Sequence, residues 1–131
     1  MFDREFVGRI QSGKYVSLTT FRRDGTPVAT PVWFVRDGDA LRIITQDDSG
    51  KAKRLAHTPR VLIAPCDVRG RLTGEQVQAT GHLQDGPASE QTARMVAHRY
   101  GLIGRLMMWR SQRAAGKRGA SGQVGITVSA A

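Results

Sequence analysis

The sequence predicts a mainly β protein, with six short strands in a compact antiparallel barrel, one short helix after the third strand and a helical pair before the last. Three observations predict it. Apolar and β-branched residues alternate in short runs separated by turn residues, Asp24-Gly25 marks a tight hairpin, and helix start and stop signals occur in two places only.

Taking the elements in order, residues 14–23 put Val16 and Leu18 on one face and Tyr15 and Phe21 on the other, which is a strand. After the Asp24-Gly25 turn, the run from Val28 to Arg36 reads as one partner strand, with Pro31 marking an edge or a bulge. A turn at 37–39 leads to the third strand, "ALRIITQ", and Val61 to Pro65 form the fourth; these four strands are expected in near-meander order. Residues 75–84 form the fifth strand, with Gly81 as a bulge or a close-approach point, and "QVGITVSA" forms the last. Pro87 opens a helix that Gly101 stops, and "LIGRLMMWRSQ" is a second helical piece. Residues 113–122, "RAAGKRGASG", read as a mobile connection, with a lid as the alternative.

At 131 residues, the chain is expected to be a single domain spanning 1–131, too small to enclose a large cavity alone, so a site shared between subunits is expected. Cys66 is the sole cysteine, and with only His57, His82 and His98 beside it no metal cluster is expected. No run approaches the roughly 18 apolar residues of a membrane span, and no signal peptide is recognised, so the expected location is the cytoplasm and no membrane partner is expected.

The charge is +9, from 20 Lys and Arg against 11 Asp and Glu, which points to an anionic partner. Most of the excess lies after residue 90, where Arg94, Arg99, Arg105, Arg110, Arg113, Lys117 and Arg118 face no acidic residue in sequence. Nucleic acid is disfavoured, because the eight aromatics do not alternate with basic residues as stacking platforms require. A second cationic group is denser. Ser49 is a candidate N-cap for a helix of about eight residues reaching His57, and Lys51, Lys53 and Arg54 crowd into it. Cations at a helix start are unfavourable unless an anion joins them, so the group suits a phosphate. It equally suits a short solvated helix, and the residues alone leave both readings open.

The order of "VSLTTFRRDGTPVATPVWF", "IITQDDSGKAKRLAHTPRVLIAPCD", "YGLIGRLMMW" and "GQVGITV" resembles the pyridoxamine 5′-phosphate oxidase-like split β-barrel superfamily, and within it the actinobacterial branch of coenzyme F420 (deazaflavin)-dependent oxidoreductases. The resemblance spans nearly the whole chain. It implies a six-stranded split barrel that works as a homodimer, with a flavin, deazaflavin or haem in a groove at the interface. It also implies roles for particular residues. Lys51 falls at the phosphate-contacting lysine, eight residues before Pro59, with Lys53 and Arg54 as auxiliary cations. Thr45, Gln46 and Ser49 would surround the phosphate and ribityl chain, and Thr30, Pro31, Val32 and Trp33 would run beside the ring. A large aromatic in an otherwise aliphatic strand is more often core packing than a ring contact, so for Trp33 both readings stay open.

In such enzymes the cofactor carries the chemistry, so no protein nucleophile is needed and none is recognised: the sequence has neither a G-x-S-x-G elbow nor usefully spaced carboxylates. No catalytic residue is assigned. Tyr15, Tyr100 and solvent remain open as proton donors to a small-molecule substrate. Coenzyme F420, with several negative charges, suits the basic chain better than FMN; the alternative is an FMN-binding protein of the same fold, either an oxidase or reductase or a noncatalytic flavin carrier.

Overall fold

The computed structural model describes residues 2, 4–11, 13–46, 49–116 and 123–131, with side chains described outside 102–116. One antiparallel sheet dominates it. In chain order its strands are β1 (Tyr15–Phe21), β2 (Pro27–Val32), β3 (Phe34–Asp37), β4 (Ala40–Gln46), β5 (Arg60–Cys66), β6 (Val77–Leu83) and β7 (Gln123–Ala130), and in space they lie β2-β1-β5-β6-β7-β4-β3. The two sheet edges, β2 and β3, are separated in sequence by Trp33 alone, so the sheet must curl until its edges meet.

This corrects the expected six strands to seven. The run from Val28 to Arg36 is not continuous but breaks at Trp33, because its two halves belong to opposite edges. Pairing also departs from a meander. β4 pairs with β7, and β5 with β1, since the short helix α2 (Gly50–Leu55) carries the chain across the sheet between β4 and β5. The strands 40–46 and 123–130 lie where the alternation placed them. β2 is an edge strand, as Pro31 requires.

The concave face holds the core. Val16 and Leu18 of β1, Val61 and Ile63 of β5, Leu41 and Ile43 of β4, and Ile126 and Val128 of β7 are buried there with Phe34. A helix not anticipated from sequence, α1 (Arg4–Gln11), adds Phe6 and Ile10, one turn apart on one face. Phe2 stacks on Phe6 at 5.5 Å between ring centroids. α2 adds Leu55 to the same core. Gly81 of β6 lies beneath it, where a Cβ would stand 3.3 Å from both Leu55 Cδ2 and Val61 Cγ1, which is the close approach expected at that residue.

The opposite face of β7, β4 and β3 is covered by α3 (Gly86–Gly116), which has a kink at Gly101 (φ 63°, ψ −137°). The expected helical pair is thus two segments joined at a left-handed glycine. Helix extends through 113–116 of the expected connection, and 117–122 lie outside the described residues. Polar side chains fasten α3 to the sheet. Gln84 Nε2 donates to Thr127 Oγ1 (2.8 Å), Thr92 Oγ1 donates to Gln84 Oε1 (2.6 Å), and the Gly125 N–H donates to Ser89 Oγ (2.8 Å). A Cβ at Gly125 would overlap the Gln84 amide, so glycine is what lets this network close.

Candidate functional site: a cationic rim and an aromatic groove

Two groups of chemistry-bearing residues form, at opposite ends of β1. The first is at the α2 end. Ser49 Oγ accepts the Ala52 N–H (3.2 Å), the N-cap expected from sequence, and Thr45 Oγ1 donates to the same oxygen (3.3 Å). The helix runs only to Leu55, not to His57, because the chain turns at Ala56 toward Thr58 and Pro59. Six residues give little helix dipole, so anion affinity here must come from side chains.

Those side chains are unusually placed for cations. Arg54 folds back over Gly50, where a Cβ would lie 2.6 Å from its Nη1, and its Nε donates to Thr20 Oγ1 on β1 at 2.6 Å. Lys51 is half-buried beside it. Burial, reinforced by the Arg54 charge, holds the Lys51 ammonium below the usual lysine range. Burial and then Arg22 lower Arg54 in the same way. Among the described residues, no carboxylate lies within ion-pair distance of either cation. Lys53 is exposed, and its backbone N–H donates to the Ser49 carbonyl (3.1 Å). Gln46, at the end of β4, is partly buried opposite Gln123.

The β2 residues approach from the side. Thr20 faces Val28, and Thr30, two residues along the same face of β2, faces Leu18. The Thr30 hydroxyl is buried and has no hydrogen-bond partner among the described residues. A buried polar atom without a partner is costly, and Thr19 Oγ1 on β1 is in the same position among the described residues. Val32 is committed to the core, and Pro31 is exposed, with its ring beside Gly70.

Trp33 belongs to the second group. It stacks on Tyr100 (4.5 Å, 8° between planes) and tilts against Tyr15 (6.5 Å, 50°). The Tyr100 phenol accepts the Phe34 N–H (3.1 Å) and shares its proton between the carbonyls of Lys14 (2.8 Å) and Phe34 (3.0 Å). Burial pushes the Tyr100 phenol up from its ordinary value, which suits a structural tie better than an acid. Tyr15, Trp33, Tyr100, Lys14 and Arg99 line a groove of about 510 Å³.

The structure therefore gathers Thr45, Ser49, Lys51 and Arg54 at the rim with Thr30 nearby, and separates Trp33 from them. Sequence reasoning missed Thr20, which orients Arg54, and also Arg22 and the Arg23–His57 contact (3.0 Å from Nη2 to Nε2) that extend the rim's charge. No local signal reports Thr20, because its partner is 34 residues away. Arg94 and Arg99 of the basic run lie on α3 near the groove and not at the rim; the side chains of Arg105, Arg110 and Arg113 and the residues Lys117 and Arg118 lie outside the description.

The family model for pyridoxamine 5′-phosphate oxidase matches residues 2–123. The chain belongs to this family. Solved structures of the pyridoxamine 5′-phosphate oxidase-like fold resemble it over nearly its full length. An F420 reductase is 18% identical with a TM-score of 0.61, the match covering 98% of this chain and 94% of the other. An FMN-binding, pyridoxamine 5′-phosphate oxidase-related protein from Nostoc punctiforme is 18% identical with a TM-score of 0.59, covering 96% and 76%. HutZ, the heme storage protein from Vibrio cholerae, is 15% identical with a TM-score of 0.68, covering 98% and 89%. At these identities the likeness concerns the fold. No curated protein matches the chain. Among the described residues, no helix is long and apolar enough to cross a membrane and no cluster of metal-ligating side chains forms.

Proposed function

We propose that this protein is a coenzyme F420-dependent oxidoreductase, a cytoplasmic homodimer that transfers a hydride between the deazaflavin and a small electron-poor organic compound. One observation carries the reading: Lys51 is half-buried beside Arg54 with no described carboxylate to pair either charge. Removing cations from water is costly, and an arriving phosphate offsets that cost. The buried Thr30 hydroxyl, without a hydrogen-bond partner among the described residues and two residues along β2 from Val28, the strand partner of the Thr20 that holds Arg54, supports the same reading. The residues fit a phosphate-bearing cofactor. Lys51 and Arg54 would hold the phosphate, Thr45, Gln46 and Ser49 would offer polar groups around it, and Thr30 and Pro31 would border the ring, with Lys53 adding charge from the exposed side.

When bound, the deazaflavin supplies the hydride donor or acceptor carbon. The chain's task is to bind, orient and shield. A second copy of the chain would contribute the other wall of the site, since a chain of 131 residues is too small to enclose a tricyclic cofactor alone. FMN is the second reading, favoured by one point: the rim as built accounts for a single phosphate, which FMN also carries, and a structural neighbour binds FMN.

Titration of the purified protein with F420, FMN and FAD, followed by fluorescence or absorbance, tests the proposal. Tightest binding of F420 is expected. FMN binding more tightly would replace the first reading by the second, and binding of neither would sink both. Light scattering should give a dimeric mass, and a monomer with undiminished cofactor binding would remove the shared site.

A further inference from the structure

The groove at the other end of β1 has no place in the clamp. Its walls are the half-buried rings of Tyr15, Trp33 and Tyr100, and its cations are Lys14 and Arg99, both exposed. Among the described residues, no carboxylate lines it. A neighbouring concavity shares Arg99 and adds Arg36, Arg94 and His98, again without an acidic side chain. Among the described lining residues the charged side chains are therefore all basic.

Packing explains part of this arrangement. Tyr100 ties Lys14 to Phe34 through its phenol, and the Arg99 guanidinium lies over the Phe34 ring (4.5 Å) and donates to the Gly13 carbonyl (3.3 Å). Packing does not explain why the aromatic walls stay partly open to solvent beside two cations that have no acidic partner among the described residues. Trp33 stacks on the Tyr100 ring that these hydrogen bonds tie in place, so a flat ligand would meet a wall already formed and lose little to ordering it. A volume of about 510 Å³ is in the range of small-molecule sites.

We infer that this groove binds a planar aromatic carboxylate, its ring against Tyr15 and Trp33 and its carboxylate paired with Arg99 and Lys14. A planar guanidinium matches a carboxylate through paired N–H donors, and aromatic faces take a flat ring with no demand on its substituents. The inference goes beyond the proposed function and does not depend on it, because the groove and the rim share no residue.

Calorimetric titration of the cofactor-free full chain with 2-naphthoate and with naphthalene-2-methanol tests it. The carboxylate should bind at least about tenfold more tightly than the alcohol, as expected of one charge-assisted contact. Arg99→Gln and, independently, Lys14→Gln should each reduce that ratio, while Lys51→Ala leaves it unchanged; thermal melts confirm that the variants fold. Equal binding of the two probes, or a ratio untouched by both groove variants, overturns the inference. So does loss of naphthoate binding in Lys51→Ala alone, which would place the anion at the rim. A protein that binds F420 but not naphthoate refutes the groove and leaves the proposed function standing. Naphthoate held through Arg99 by a protein that takes neither F420 nor FMN refutes the proposed function and keeps the groove.

Discussion

The rim and the groove are both cationic, yet they differ in how the charges are held. At the rim, Lys51 and Arg54 lie within one short helix, and desolvation lowers both, so their placement costs stability until an anion arrives. In the groove, Lys14 and Arg99 are exposed and cost little, while the aromatic frame around them is tied by contacts 66 and 86 residues apart in sequence. The difference teaches where binding strength and where shape reside. On the proposed reading, desolvated charge would give the rim its affinity for a phosphate, while long-range ties give the groove its form.

The sharpest way to break the comparison is Lys51→Ala. It should weaken cofactor binding by about 1.5 to 3 kcal/mol, roughly ten- to a hundredfold, and leave naphthoate binding intact. An unchanged Kd for F420 would reduce the rim to a solvated helix end.

Tyr100→Phe attacks the other region. It leaves the Phe34 N–H without its acceptor and frees the Lys14 carbonyl, so chemical denaturation should show a loss of about 1 to 3 kcal/mol in stability. Cofactor affinity should change much less. Comparable losses of stability and of F420 affinity would mean that the two regions are coupled.

Ser49→Ala removes the cap of α2 and should cost about 1 kcal/mol in stability, with a smaller loss of cofactor affinity as the Lys51 helix loosens. A cofactor loss equal to that of Lys51→Ala would show that Ser49 contacts the ligand directly.

The smallest effect concerns pH. Lys51 has a lower pKa folded than unfolded, so the unfolded chain binds its proton more strongly. Its penalty is therefore present at neutral pH and is relieved as pH rises from the folded value to the ordinary lysine value. Lys51→Met should be slightly more stable than the parent at pH 7, and that advantage should shrink at alkaline pH. An advantage independent of pH would show that Lys51 does not carry the strain.

Local chemistry was legible in the sequence. The Asp24-Gly25 hairpin forms with Gly25 at φ 90° and Asp24 accepting the Thr26 N–H, and Ser49 caps α2, because each depends on residues a few positions apart. α1 was missed because Phe6 and Ile10 give too short a periodic signal in eight residues. The break at Trp33 left no trace either. Val28, Thr30, Val32 and Phe34 keep the same alternation straight through it.

What the sequence determined by itself, then, is the set of strands at 40–46 and 123–130, the first hairpin, the cap and the density of cations after it, all of which follow from propensity and spacing within one element. The tertiary structure alone decided which strands pair, that the sheet's edges meet at Trp33, that Arg54 reaches Thr20, and that Tyr100 closes the groove against Lys14 and Phe34. Those contacts join residues 34 to 86 positions apart, and their energy comes from burying one shared core and from satisfying polar groups across it. No local pattern encodes which distant residue will be the partner.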